Sequence, residues 1–146
     1  MKLEKAKYTA KASAKGGKVA RVTTGDGLID LEYRPPKEID GTGETGSHTN
    51  AEQLLAAGYA TCMSSTLELA AEKMQLDINP DHIFVEARVQ MGNDEQASGF
   101  AYLVDLEIGL NSLDKETLEK LTQIAHKDCP YSKALQGNVD VRLHLQ

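Results

Sequence analysis

Cysteine is scarce in this sequence. Only Cys62 and Cys129 occur among 146 residues, and they do not form a CxxC, which excludes a thioredoxin-like motif. Long apolar runs are missing as well. No window approaches the roughly 18 residues of a membrane span, so no membrane partner is expected. The opening stretch MKLEKAKYTAKASAKGGK carries lysines but lacks the apolar core of a secretory signal. Net positive charge is absent: the formal charge of −6 argues against nucleic acid, whose binding rests on neutralising phosphates. Together these point to a cytoplasmic protein. In that compartment disulfides are usually transient and catalytic or redox-sensing. The two cysteines are then either inert core thiols or a redox pair.

What is present reads as one α+β domain over residues 1–146. With 40% hydrophobic and 26% charged residues, the composition is that of an ordinary globular protein, large enough to bury a core without disulfides. Tyr8, Ala10, Ala12 and Ala14 alternate with Thr9, Lys11, Ser13 and Lys15, the pattern of a half-buried strand. Gly16-Gly17 and the TGDG at 24–27 signal hairpin turns, and Ile29, Leu31 and Tyr33 alternate in a third strand that ends at Pro35-Pro36. Residues 37–48, rich in glycine and polar side chains, read as a loop.

A helix is predicted from about 50 to 75, with Thr49 or Asn50 as cap and Glu52 placed as a capping box requires. From Leu54 to Met63 it is apolar or small almost all round, which predicts burial on most sides and hints at a dimer. Strands follow with apolar faces Val85, Ala87, Val89, Met91 and Tyr102, Val104, Leu106, Ile108, Leu110, joined by a hairpin loop at 92–99. A second helix over about 113–128 carries the stripe Leu118, Leu121, Ile124, Ala125 and stops at Pro130. Val139, Val141, Leu143 and Leu145 alternate in a last strand.

Chemistry centres on the thiols. Free cysteine packs readily as a small hydrophobe, so either sulfur can be inert core. A reactive thiol needs a positive neighbour or a helix N-terminus. Cys62 lies more than two turns into its helix, where the dipole helps little, so charge must come from a side chain such as Lys18, Arg21 or Arg34. Cys129 ends a helix beside Pro130, in a segment expected to be partly mobile, which suits a resolving thiol. His126, three residues earlier on the same face, makes two potential ligands, too few for a metal site. Glu52 is explained as a first-turn carboxylate, and equally as an anchor for a cation. It stands about 15 Å along the helix from Cys62, so the two meet only across a two-fold axis.

The segments TNAEQLLAAGYATC (49–62) and AHKDCPYSKALQGNVDV (125–141), after YTAKASAKGGK (8–18), resemble the organic hydroperoxide resistance (Ohr) branch of the OsmC-like proteins over essentially the whole chain. That resemblance implies an OsmC-like fold: an intertwined homodimer with two central helices wrapped by antiparallel β-sheets. It implies a peroxidase that reduces organic and fatty acid hydroperoxides to alcohols, and a pocket around Cys62 as apolar as its helix would make it prefer these to hydrogen peroxide. Cys62 would become a sulfenic acid, and Cys129 would close the disulfide. Dihydrolipoamide or a lipoylated protein would serve as external reductant, with no bound cofactor or metal. The family glutamate falls on Glu52. The family arginine falls on Lys18, with Arg21 nearby, and the family proline after Asn50 is Ala51. Tyr131, Tyr59, Leu55 and Met63 are the candidates for lining the substrate pocket. The alternative is an OsmC-like redox-sensing or ligand-binding protein with little turnover, because the usual arginine is absent.

Overall fold

The computed structural model describes every residue except 1, 2, 40 and 45, so the loop reading at positions 40 and 45 lies outside the described residues. The chain forms two compact units, one up to Ala51 and one spanning Glu52–Gln146.

The first unit is an antiparallel meander of β1 (Ala12–Lys15), β2 (Ala20–Thr24) and β3 (Asp30–Tyr33). Gly16 makes the first turn possible: its φ of 125° suits only glycine, and a Cβ there would stand 2.2 Å from the Val19 carbonyl oxygen. At the second turn the Asp26 carboxylate accepts from the Leu28 N–H (3.1 Å) and the Thr24 hydroxyl (2.6 Å), as the TGDG signal predicts. The expected strand from Tyr8 is shorter than its alternation suggests, and it is not half-buried. All of β1 is exposed, and Tyr8 is 84% exposed. Ala12 pairs with Thr24, the end of β2, which leaves residues 8–11 no strand to pair with. The stretch expected as loop contains one 3₁₀ turn, Lys37–Ile39.

The second unit holds all of α1 (Ala51–Lys73) but its first residue, followed by β4 (Phe84–Asn93), β5 (Phe100–Gly109), α2 (Lys115–Asp128), α3 (Pro130–Leu135) and β6 (Asp140–Leu145). β5 is the central strand of its sheet. It pairs antiparallel with β4 and parallel with β6, so this sheet is mixed where the resemblance implied antiparallel pairing throughout. A parallel neighbour requires a crossover, and α2 with α3 supplies it. The core joins Tyr59, Met63, Leu67, Ala70 and Ala71 of α1 to Val104, Leu106 and Ile108 of β5 and to Leu118, Leu121 and Ala125 of α2. Each large apolar side chain so buried contributes about 1.5–3 kcal/mol.

Within the single chain, α1 buries one face and leaves Ala57, Thr61, Ser65 and Leu69 exposed on another. Pro130 does stop α2, but it also opens α3, because proline is favoured at the first helical position.

Candidate active site

The α2–α3 junction fixes Cys129. Its N–H donates to the Ala125 carbonyl (2.8 Å), closing α2, and its own carbonyl accepts from the Lys133 N–H (3.0 Å), opening α3. The side chain is 0% exposed. At this junction Cys129 is buried with both of its backbone groups bonded, while the neighbouring Pro130 is exposed. Cys62 projects from the middle of α1 and is partly exposed. The two sulfurs lie 3.5 Å apart, in hydrogen-bond contact.

Burial pushes the Cys62 thiol up from its ordinary range. The Tyr131 backbone N–H pulls it back, the neighbouring Cys129 adds to the rise, and the Thr66 hydroxyl lowers it slightly. None of these groups is a cation, so the thiol form is favoured at neutral pH unless a positive charge arrives. Tyr131 sits in the first turn of α3, where backbone N–H groups have no helical acceptor. That is why its amide is available to a sulfur.

The aromatic candidates pack around this contact. Tyr59 is wholly buried, and its hydroxyl shares a 2.8 Å hydrogen bond with Ser132, itself 3% exposed. Burial raises the Tyr59 phenol, which stays protonated. The Tyr59 and Tyr131 rings stack at 5.6 Å and 23°. The Tyr131 hydroxyl lies against Gly58, where a Cβ would meet it at 2.4 Å. Met63 is 0% exposed and belongs to the core. Leu55 is half-buried on α1. The site thus gains Ser132, Gly58 and Thr66, which sequence reasoning did not single out. Ser132 stands inside CPYS, but nothing local says that its partner is Tyr59, 73 positions away.

The charged candidates are placed as follows. Glu52, in the first turn of α1, accepts a 2.8 Å hydrogen bond from the Tyr102 hydroxyl of β5. Tyr102 reads in sequence only as a strand-face residue. Lys18 is exposed in the β1–β2 turn. Arg21 of β2 grips Asp30 with two bonds, at 2.6 and 2.8 Å. Arg34 pairs with Glu32 at 2.7 Å. Among the described residues, the buried Nδ1 of His126 has no partner, and burial depresses its imidazole pKa. Among the described residues no three of His, Cys, Asp and Glu stand together as a metal site, and no helix is long and apolar enough to cross a membrane.

The fold and the site define a class: an α+β protein with a thiol pair held between a long helix and a helical corner. Comparison with known proteins gives the family. Residues 43–144 match the OsmC-like protein family. The organic hydroperoxide resistance protein OhrB of Bacillus subtilis (strain 168) is 40% identical over 139 residues, 95% of this chain and 98% of that one. The organic hydroperoxide resistance protein of Xanthomonas axonopodis pv. citri (strain 306) is 39% identical over 142 residues, 97% and 96% of the two chains. The crystal structure of Bacillus subtilis OhrB superposes with a TM-score of 0.85, at 38% identity, covering 97% of this chain and all of that one. An organic hydroperoxide resistance protein OsmC from Legionella pneumophila gives 0.88 at 36% identity, covering 97% and 99%. This chain belongs to the OsmC-like family, in its organic hydroperoxide resistance branch.

Proposed function

We propose that this protein reduces organic hydroperoxides to alcohols with Cys62 as nucleophile. The observation that carries the reading is the 3.5 Å contact between a partly exposed Cys62 and a buried Cys129. The Cys62 thiolate attacks one peroxide oxygen, the O–O bond breaks, and the alkoxide leaves and is protonated to the alcohol. Cys62 is left as a sulfenic acid. Cys129 attacks that sulfur, water departs, and a Cys62–Cys129 disulfide closes. Dihydrolipoamide or a lipoylated protein returns both sulfurs to thiols.

Burial raises the Cys62 thiol, so the first step needs a cation. Lys18 is exposed and available for that role. Arg21 serves only after leaving Asp30. Glu52 fits the part of its anchor, and a homodimer would bring these groups together from two chains. Tyr131 and Leu55 are the candidates for substrate contact, with Tyr59 and Met63 as the packed wall behind them.

The test is turnover of cumene hydroperoxide against hydrogen peroxide with dihydrolipoamide as reductant. Repeated turnover favouring the organic substrate is expected. Cys62→Ser should abolish it, and Cys129→Ser should still form the sulfenic acid. Lys18→Ala and Arg21→Ala separate the two cations by their effect on rate. Consumption of one equivalent and no more would favour a redox-sensing or ligand-binding protein instead.

A further inference from the structure

The two sulfurs differ in access. Cys129 is fully buried in the core of the second unit, held by backbone bonds on both sides, while Cys62 keeps part of its surface open. Assembly with another chain can only bury Cys129 further. Closing the pair from 3.5 Å to a bond of about 2.05 Å moves the sulfurs by only about 1.5 Å, too little to bring Cys129 out.

We propose that, in the oxidised protein, an external dithiol opens the disulfide at Cys62 and not at Cys129, which serves as a buried leaving thiolate. The inference takes its place in a cycle from the peroxidase reading, but its chemistry concerns the oxidised pair however it was made.

Exchange requires the attacking sulfur to approach along the line of the bond it breaks, so access decides which sulfur is attacked. Attack on Cys129 would have to come through the core, where Leu121 and Ala125 are also 0% exposed. Attack on Cys62 comes from its open side. The reductant thiolate bonds to Cys62 Sγ, the Cys62–Cys129 bond breaks, and its electron pair leaves on Cys129 Sγ, which takes up a proton. The second thiol of the reductant, deprotonated, then attacks the reductant's own sulfur in the mixed disulfide. Cys62 departs as a thiolate, and the reductant leaves as its disulfide, having passed two electrons to the protein.

The experiment uses the full chain oxidised with diamide, so that no peroxide is involved. Excess mercaptoethanol is added, the mixture is quenched in acid, and the adduct is located by peptide mass spectrometry. The adduct is expected on Cys62, and an adduct predominantly on Cys129 overturns the proposal. A second measurement compares single-thiol variants with dithionitrobenzoate. The thiol of Cys62→Ser should react at least about tenfold more slowly than that of Cys129→Ser in the native state, and the gap should close in denaturant. Equal native rates also overturn it. Should the protein fail to turn over peroxide while the adduct still maps to Cys62, the peroxidase reading falls and this assignment stands.

Discussion

Cys62 carries two opposing demands. Nucleophilic chemistry needs the thiolate, and its surroundings favour the thiol, with burial outweighing the Tyr131 N–H. The same imbalance makes folding stability depend on pH. With the folded thiol raised above its unfolded value, the folded state keeps a proton that the unfolded chain has lost throughout the interval between the two. That contribution is complete below the ordinary thiol range and is lost as pH rises through the folded value. Urea midpoints measured from neutral into alkaline pH should therefore fall in the reduced wild type and fall less in Cys62→Ser. An identical alkaline slope in both proteins would show that Cys62 is not held as a thiol by its burial. Much of this residue-scale picture was legible beforehand: the scarcity of cysteine singles out both thiols, and helix position shows that a dipole does not activate Cys62. Contacts made through folding were not legible. The Tyr59–Ser132 bond and the Tyr102–Glu52 bond join positions 73 and 50 apart, and no local pattern encodes either.

At the scale of elements, hydrophobic period located both long helices and the strands of the second unit, while β2 was implied only by the turn signals on either side of it and β1 is shorter and more exposed than its alternation suggests. Two features escaped for physical reasons. α3 is six residues long, too short to show a period, and Pro130 reads equally as a stop and a start. The pairing direction of β6 depends on the crossover through α2 and α3, not on the alternation of Val141, Leu143 and Leu145. The end of α1 yields a prediction. Leu76 N–H bonds to the Ala71 carbonyl and Gln75 N–H to the Glu72 carbonyl, both at 3.0 Å, a Schellman closure. It places Gln75 at a φ of 56°, a conformation that suits glycine and strains a residue with a Cβ. Gln75→Gly relieves that strain but loosens the unfolded chain, and relief wins where φ is positive. The cost of the left-handed conformation, about 1–2 kcal/mol, exceeds the added unfolded-state entropy of about 0.4–1 kcal/mol, so the substitution should stabilise the protein by up to about 1 kcal/mol in urea denaturation, with peroxide turnover unchanged. A loss of stability would mean that the Gln75 side chain makes a contact worth more than the strain.

For the molecule as a whole, the informative feature is the uncovered side of α1. Ala57, Thr61, Ser65 and Leu69 are exposed, and Leu69 is 55% so. The two hydroxyls do not reach for solvent. Thr61 donates to the Ala57 carbonyl at 2.8 Å and Ser65 to the Thr61 carbonyl at 3.0 Å, so the stripe presents small, uncharged groups. A helix with no charge along four successive positions of an exposed face is poorly suited to water and well suited to close packing against an equivalent helix. Two α1 helices packed antiparallel would also bring Glu52 of each chain toward Cys62 of the other, which the span of about 15 Å forbids within one helix. Ser65→Arg tests this cleanly. Arginine is a good helix former and Ser65 is exposed in the single chain, so the fold should survive while a desolvated charge blocks the packing. Sedimentation should show the wild type at twice the 15.9 kDa chain mass and Ser65→Arg at the chain mass. The variant should keep wild-type circular dichroism and lose most of its turnover with cumene hydroperoxide. A wild type that turns over fully as a monomer would sink the trans arrangement, and the cation for Cys62 would then have to come from its own chain.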